Sequence, residues 1–123
     1  MEWSFRPDAP LYAQLCEQLT LAIVSGVFPP GARLPAVREL AVDAGVNPNT
    51  VQRALSELER DGLVYTQRTA GRFVTEDAER IESERRRLAE ERAREFIAAM
   101  EKLGYHRIQT VMLLEKLRGE EAK

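Results

Sequence analysis

The chain predicts an α+β fold, mostly α, on three observations. Two short stretches between residues 37 and 58 carry apolar residues at helical spacing, parted by a glycine and an Asn-Pro pair. Two strand-like segments, Leu63-Val64-Tyr65-Thr66 and Arg72-Phe73-Val74-Thr75, then flank a polar turn. Beyond residue 76 the sequence reads as helix throughout, first charged and then apolar. The chain accordingly divides into a small domain over residues 1–75 and a helical tail over residues 76–123.

Residues 1–10 contain Pro7 and Pro10 and read as an extended lead-in. A first helix begins at Pro10 or Leu11. Tyr12, Leu15, Cys16, Leu19 and Ile23 form its apolar stripe, and Gly26 supplies the left-handed conformation that ends it. Phe28-Pro29-Pro30-Gly31 makes a turn. Pro35 suits the first turn of a second helix, where a missing N–H costs nothing. Val37, Leu40 and Ala41 form that helix's inner face and Gly45 its stop.

In the third helix Asn47 is a good N-cap and Pro48 a good first residue. Val51, Ala54, Leu55 and Leu58 keep one face apolar, and Gly62 ends the helix. A rotation of about 100° per residue turns Asn49, Gln52, Arg53 and Ser56 to the opposite face, with Thr50 at its edge. Amide, hydroxyl and guanidinium groups of this kind hydrogen-bond base edges and phosphates. Any amphipathic helix has a polar face, so the neighbouring parts decide its meaning. After it, Gln67-Arg68-Thr69-Ala70-Gly71 joins the two strands, and Gly71 provides a positive-φ position. Arg68 at the tip is placed to reach a phosphate or a minor groove, unless it is simply a solvated turn residue.

Helix, turn, helix and ribbon is the order of parts in a winged helix-turn-helix, which sets one helix into a DNA groove. The individual motifs go further. Pro10-Leu11-Tyr12 with Gln14-Leu15, Gly26, Pro30-Gly31, Leu34-Pro35, Val37-Arg38-Glu39-Leu40-Ala41 and Val46-Asn47-Pro48-Asn49-Thr50-Val51 resemble the GntR family of bacterial regulators. Leu58-Glu59, Gly62-Leu63 and Gly71 with Phe73-Val74 continue the resemblance, which covers about residues 9 to 75. The Val-Asn-Pro-Asn-Thr-Val form is similar to the YtrA subfamily.

That resemblance implies DNA contacts from Arg38, from Asn47, Asn49, Thr50 and Gln52 at the opening of the recognition helix, and a close backbone approach at Gly71. Arg53 and Arg68 join the candidate site on the helix-wheel and turn positions given above. Two positions depart from the family pattern. Ala36 stands where members often carry Ser, which removes one phosphate-binding hydroxyl. The wing commonly reads Gly-x-Gly-Thr-Phe-Val, and Thr69-Ala70-Gly71-Arg72-Phe73-Val74 keeps only the second glycine.

The overall charge of −2 runs against a nucleic-acid partner, because DNA affinity rests heavily on neutralised phosphates. The local balance differs. Residues 31–72 hold six arginines (33, 38, 53, 60, 68 and 72) and five acids (39, 43, 57, 59 and 61), a net of +1. Acids gathered at helix ends away from DNA would leave the contact face more positive than that sum.

The 48 residues after Thr75 in this 123-residue chain are too few for a ligand-binding domain with its own pocket. Residues 78–102 read as one long helix whose first half is mostly charged, with Glu82–Arg86 and Glu90–Arg94 as i,i+4 pairs. Phe96, Ile97, Met100 and Leu103 then form an apolar stripe and Gly104 a cap. Ile108, Val111, Met112, Leu114 and Leu117 begin a second stripe, so a helical hairpin is expected. Such a hairpin is too small to bury both stripes by itself. Dimerisation through Phe96, Ile97, Met100, Leu103, Val111, Met112 and Leu114 would cover them, and the resemblance implies a tail of this size with this purpose. Phe96, Met100 and Met112 also suit a small-molecule slot, although helical spacing already accounts for them.

The expected protein is a sequence-specific DNA-binding transcription regulator. It is read as a repressor working as a homodimer on double-stranded DNA, at an inverted repeat with half-sites about 10 bp apart. A small-molecule effector of unassigned chemistry would have to act through the tail. The rival reading is a winged-helix protein-interaction module, which the acidic balance favours and the polar face from Asn47 to Arg53 disfavours. No cofactor, metal site or enzymatic activity is expected: Cys16 and His106 stand alone, and no nucleophile–base pair or phosphate loop is present. With no apolar run of membrane-spanning length and no leader-like start, the expected location is the cytoplasm.

Overall fold

The computed structural model describes residues 1–121. Its elements are α1 (Leu11–Val24), α2 (Val37–Ala44), α3 (Pro48–Arg60), β1 (Val64–Gln67), β2 (Gly71–Val74), α4 (Ala78–Lys102) and α5 (Arg107–Glu121). The architecture is α+β and mostly α, as the sequence predicts.

The core of the first unit forms where the apolar faces of α1, α2 and α3 meet the inner side of the ribbon. Leu15, Leu19 and Ile23 of α1 bury against Val51, Leu55 and Leu58 of α3, with Leu40, Leu63 and Val74 closing the sides. Burying each such side chain contributes about 1.5–3 kcal/mol, so this cluster fixes the pose of α3. The residues 1–10 do not simply trail. Gln14 accepts from the Arg6 N–H at 2.8 Å and donates to the Arg6 and Ala9 carbonyls at 2.8 Å each. The Gln18 amide repeats the arrangement on the backbone of Ser4.

Helix α2 begins later than expected. Ala36 is its N-cap, in an extended conformation with ψ 156°, so Pro35 lies just outside the helix. The preceding residues belong to the ribbon: the Leu34 N–H donates to the Arg72 carbonyl at 2.8 Å, and Arg33 pairs with Phe73. A chain held as a third rung cannot turn helical until it has left the ribbon. Gly45, at φ 69°, ends α2 as expected. The strands β1 and β2 pair antiparallel with Val64 opposite Val74 and Gln67 opposite Gly71. The ribbon therefore closes through Arg68-Thr69-Ala70, a shorter turn than the sequence suggested, with Gly71 inside the strand at φ 104°.

The first compact unit runs to Arg85, beyond the boundary expected after Thr75. The opening turns of α4 explain the extension. Ile81 and Glu84 are buried, Arg80 Nε donates to the Asp61 carbonyl at 2.8 Å, and Arg85 donates from Nε and Nη2 to the Val24 carbonyl at 3.0 and 2.9 Å. These guanidiniums cap the carboxyl ends of α3 and α1.

The second unit begins at Arg86 and holds the rest of α4 and α5. Glu90 and Arg94 pair at 3.6 Å, as expected, whereas Glu82 pairs with Arg85 rather than Arg86. A three-residue step serves better there because Arg85 is already turned toward Val24. The turn between α4 and α5 contains Gly104 at φ 90°. Across the two helices Leu103 and Ile108 remain 74% and 75% exposed, and Phe96, Val111, Met112, Leu114 and Leu117 are exposed as well. Ile97 and Met100 are half-buried. This is far more apolar surface than a short helical pair ordinarily leaves in water.

Candidate nucleic-acid interface

Helix α3 presents its opening residues to solvent because every apolar side chain it carries is committed to the core. Asn47 holds the N-cap: its Oδ1 accepts the Asn49 N–H at 2.8 Å, so only its Nδ2 donors are left for another partner. Asn49, Gln52 and Ser56 are exposed and Thr50 is half-buried. Arg53 is exposed too, but it is held, with its guanidinium carbon 3.5 Å from the centre of the Tyr12 ring. Arg38 is exposed in the first turn of α2.

Most of the acids near this surface are engaged elsewhere, while Glu39 stays exposed in the first turn of α2. Glu57 pairs with Arg60 at 3.3 Å, Glu59 accepts the Thr66 hydroxyl, and Asp61 is the C-cap, all at the far end of α3. Asp43 accepts from Trp3 Nε1 at 2.7 Å. The first turn of α3 holds no acid. The positive end of the α3 dipole and its exposed amides therefore face outward unopposed.

Beside them the ribbon makes a second feature. Arg33, Arg68 and Arg72 line a cleft of about 280 Å³ between the wing and the start of α2. Ala36 and Val37 at the start of α2 line it too, and Ala36 has no side-chain oxygen with which to cap the helix's first N–H groups. Among the described residues, Arg72 Nε is buried without a hydrogen-bond partner. Gly71 makes this packing possible: a Cβ there would lie 3.3 Å from Arg33 Nε, and its φ of 104° suits only glycine. Three guanidiniums and a helix N-terminus form a donor set for an anionic oxygen.

The structure thus brings Asn47, Asn49, Thr50, Gln52 and Arg53 together on α3, and places Arg68 and Gly71 on the wing. Sequence reasoning counted Arg33 and Arg72 only as charge, and took Tyr12 only as core. The cross-strand pairing of residue 33 and the α1–α3 approach that give them their places are not local sequence properties. Cys16 is no part of this surface. Burial, reinforced by the nearby Asp61 and Glu57 carboxylates, pushes its thiol up to about 11. Among the described residues no cluster of three or more potential metal-ligating side chains occurs, and no helix is long and apolar enough to cross a membrane.

A three-helix core, a polar recognition helix and an arginine-lined wing define a winged helix-turn-helix regulator that binds DNA. Residues 11–74 match the family model for bacterial regulatory proteins of the gntR family, and the chain belongs to that family. The YtrA repressor of Bacillus subtilis is 42% identical over 73 residues, which are 59% of this chain and 56% of YtrA. A GntR family transcriptional regulator from Listeria monocytogenes superposes with a TM-score of 0.84 at 38% identity, covering 91% of this chain and 98% of that one. The DNA-binding domain of AraR, solved in complex with operator ORX1, superposes with a TM-score of 0.57 at 30% identity over 61% of this chain and 96% of that one. The protein is a DNA-binding transcription regulator.

Proposed function

We propose that this regulator acts in the cytoplasm as a homodimeric repressor on an inverted-repeat operator, without catalytic activity. The observation that carries the reading is the opening of α3, where exposed amides and a guanidinium stand free of acids beside the arginine-lined wing cleft. In this reading Asn49, Thr50 and Gln52 meet base edges in the major groove. Asn47 gives its remaining amide donors to a phosphate, and Arg38, Arg53, Arg68 and the Gly71 backbone hold the flanking strand. Arg33 and Arg72 extend that phosphate set.

Residues 1–75, completed by the first turns of α4, serve as the DNA-binding domain, and the remaining tail as the dimerisation element. The exposed Phe96, Leu103, Val111, Met112 and Leu114, with half-buried Ile97 and Met100, support a second copy as the cover. A two-fold dimer would present its recognition helices to grooves about 10 bp apart. Occupancy over a promoter excludes polymerase, and the likeness to a repressor supports that sign of control. A small-molecule effector would act by changing the relative pose of the two winged helices.

The test is a fluorescence-anisotropy titration with duplexes from the gene's own upstream region at about 50 and 200 mM salt. Selective binding that weakens steeply with salt is expected. Salt-insensitive or unselective binding would favour the protein-interaction reading instead.

A further inference from the structure

We propose that Tyr12 is a positioning residue for DNA binding, holding the Arg53 guanidinium ready for a backbone phosphate. The inference rests on the reading of the α3 opening as the DNA-facing surface. Tyr12 sits in the first turn of α1, and the α1–α3 packing brings its ring against Arg53 of α3. The guanidinium carbon of Arg53 lies 3.5 Å from the ring centre, the distance of a close cation–π stack.

The choice of partner has chemical consequences. A carboxylate in the same place would neutralise Arg53 and occupy its N–H groups. A ring attracts the cation through its quadrupole and covers only one face of the planar group. The N–H edge keeps its donors and its full charge for another acceptor. Among the described residues no carboxylate pairs with Arg53, although Arg60, Arg80, Arg87 and Arg94 elsewhere on the helices all have such partners. The stack also restricts a long, flexible side chain before DNA arrives, so less freedom is lost on binding. Phosphate is the matching ligand, because it accepts two parallel N–H bonds from a fixed guanidinium edge.

A phosphate contact does not depend on sequence, so a mixed-sequence duplex of about 30 bp is a sufficient probe for the full-length protein. Tyr12→Leu keeps an apolar side chain on α1 and removes the ring; it should weaken binding about threefold to tenfold. Tyr12→Phe, which retains the ring, should restore affinity relative to Tyr12→Leu. Arg53→Ala should weaken binding at least as much and lower the salt slope by about one ion. In the Arg53→Ala background, Tyr12→Leu should have no further effect.

Additive losses from Tyr12→Leu and Arg53→Ala would overturn the proposal, as would equal losses from Phe and Leu, or no loss from Leu. An unaltered affinity in Arg53→Ala would overturn it too. Arg38→Ala, measured alongside, separates the two levels. If it weakens binding while Tyr12→Leu does not, this inference alone fails. If neither does, the DNA-facing surface has been misassigned.

Discussion

At the scale of single residues, exposure and commitment decide what each polar group can do. Gln52 is exposed on α3 and Arg38 on α2, and neither holds another element in place. Their replacement by Ala should cost about 1–3 kcal/mol of operator binding each. Thermal midpoints close to wild type would show that the loss is in contact and not in folding. Cys16 offers the opposite case. Its thiol is pushed from an ordinary 9.0 to about 11, chiefly by burial, so the folded state binds that proton more tightly than the unfolded chain does. The resulting stability is fully present below about pH 9 and is lost as the pH rises toward 11. Native protein should therefore alkylate far more slowly at neutral pH than unfolded protein, and Cys16→Ala should flatten the loss of stability between pH 9 and 11. Equal alkylation rates in the two states would contradict the burial argument. Much of this scale was legible in the sequence, since helical periodicity alone turns Asn49 and Gln52 outward and Leu55 inward. Tyr12 was not legible, because its second role depends on a side chain forty-one positions away.

Secondary elements succeed or fail here on where their ends find hydrogen bonds. Asn47 and Pro48 announced the start of α3 because a cap is a local device. The start of α2 was misplaced because the chain before it is spoken for by the ribbon, a non-local commitment. The ribbon's turn is shorter than expected for a similar reason: the pairing of the strands runs on to Gln67 and Gly71, which as residue types suit strand or turn. The lead-in shows the same limit. Nothing in its prolines reveals that the Gln14 amide serves three of its backbone groups. Gln14→Leu should leave those groups without their partners and cost about 1–3 kcal/mol of stability by thermal or denaturant melting. It should also open residues 1–10 to proteolysis. An unchanged melting curve would mean that water replaces the amide without penalty.

For the whole molecule, the division of labour follows from where apolar surface is spent. The first unit covers its own core and needs the opening of α4 to do so, through Ile81 and the Arg80 and Arg85 caps. The tail leaves Leu103, Ile108 and Met112 in water. Truncation after Arg85 should yield a folded monomer whose operator affinity falls by tenfold or more, on the order of the 1.4 kcal/mol that a tenfold change represents. Sedimentation of the truncated chain as a dimer would show that the tail is not the interface. The tail's helices and their apolar stripes were plain in the sequence, but the true edge of the first unit was not. That edge depends on Arg80 and Arg85, which look like ordinary members of a charged helix until their carbonyl partners are seen.

The measurement that tests the central claim most directly is a hydroxyl-radical footprint of the full-length protein on the duplex it selects from its own upstream region. Two symmetric protected patches, centred about one helical turn or roughly 10 bp apart, are predicted. Gln52→Ala should weaken both together. A single patch, or protection with no two-fold symmetry, would contradict a dimer reading an inverted repeat through α3.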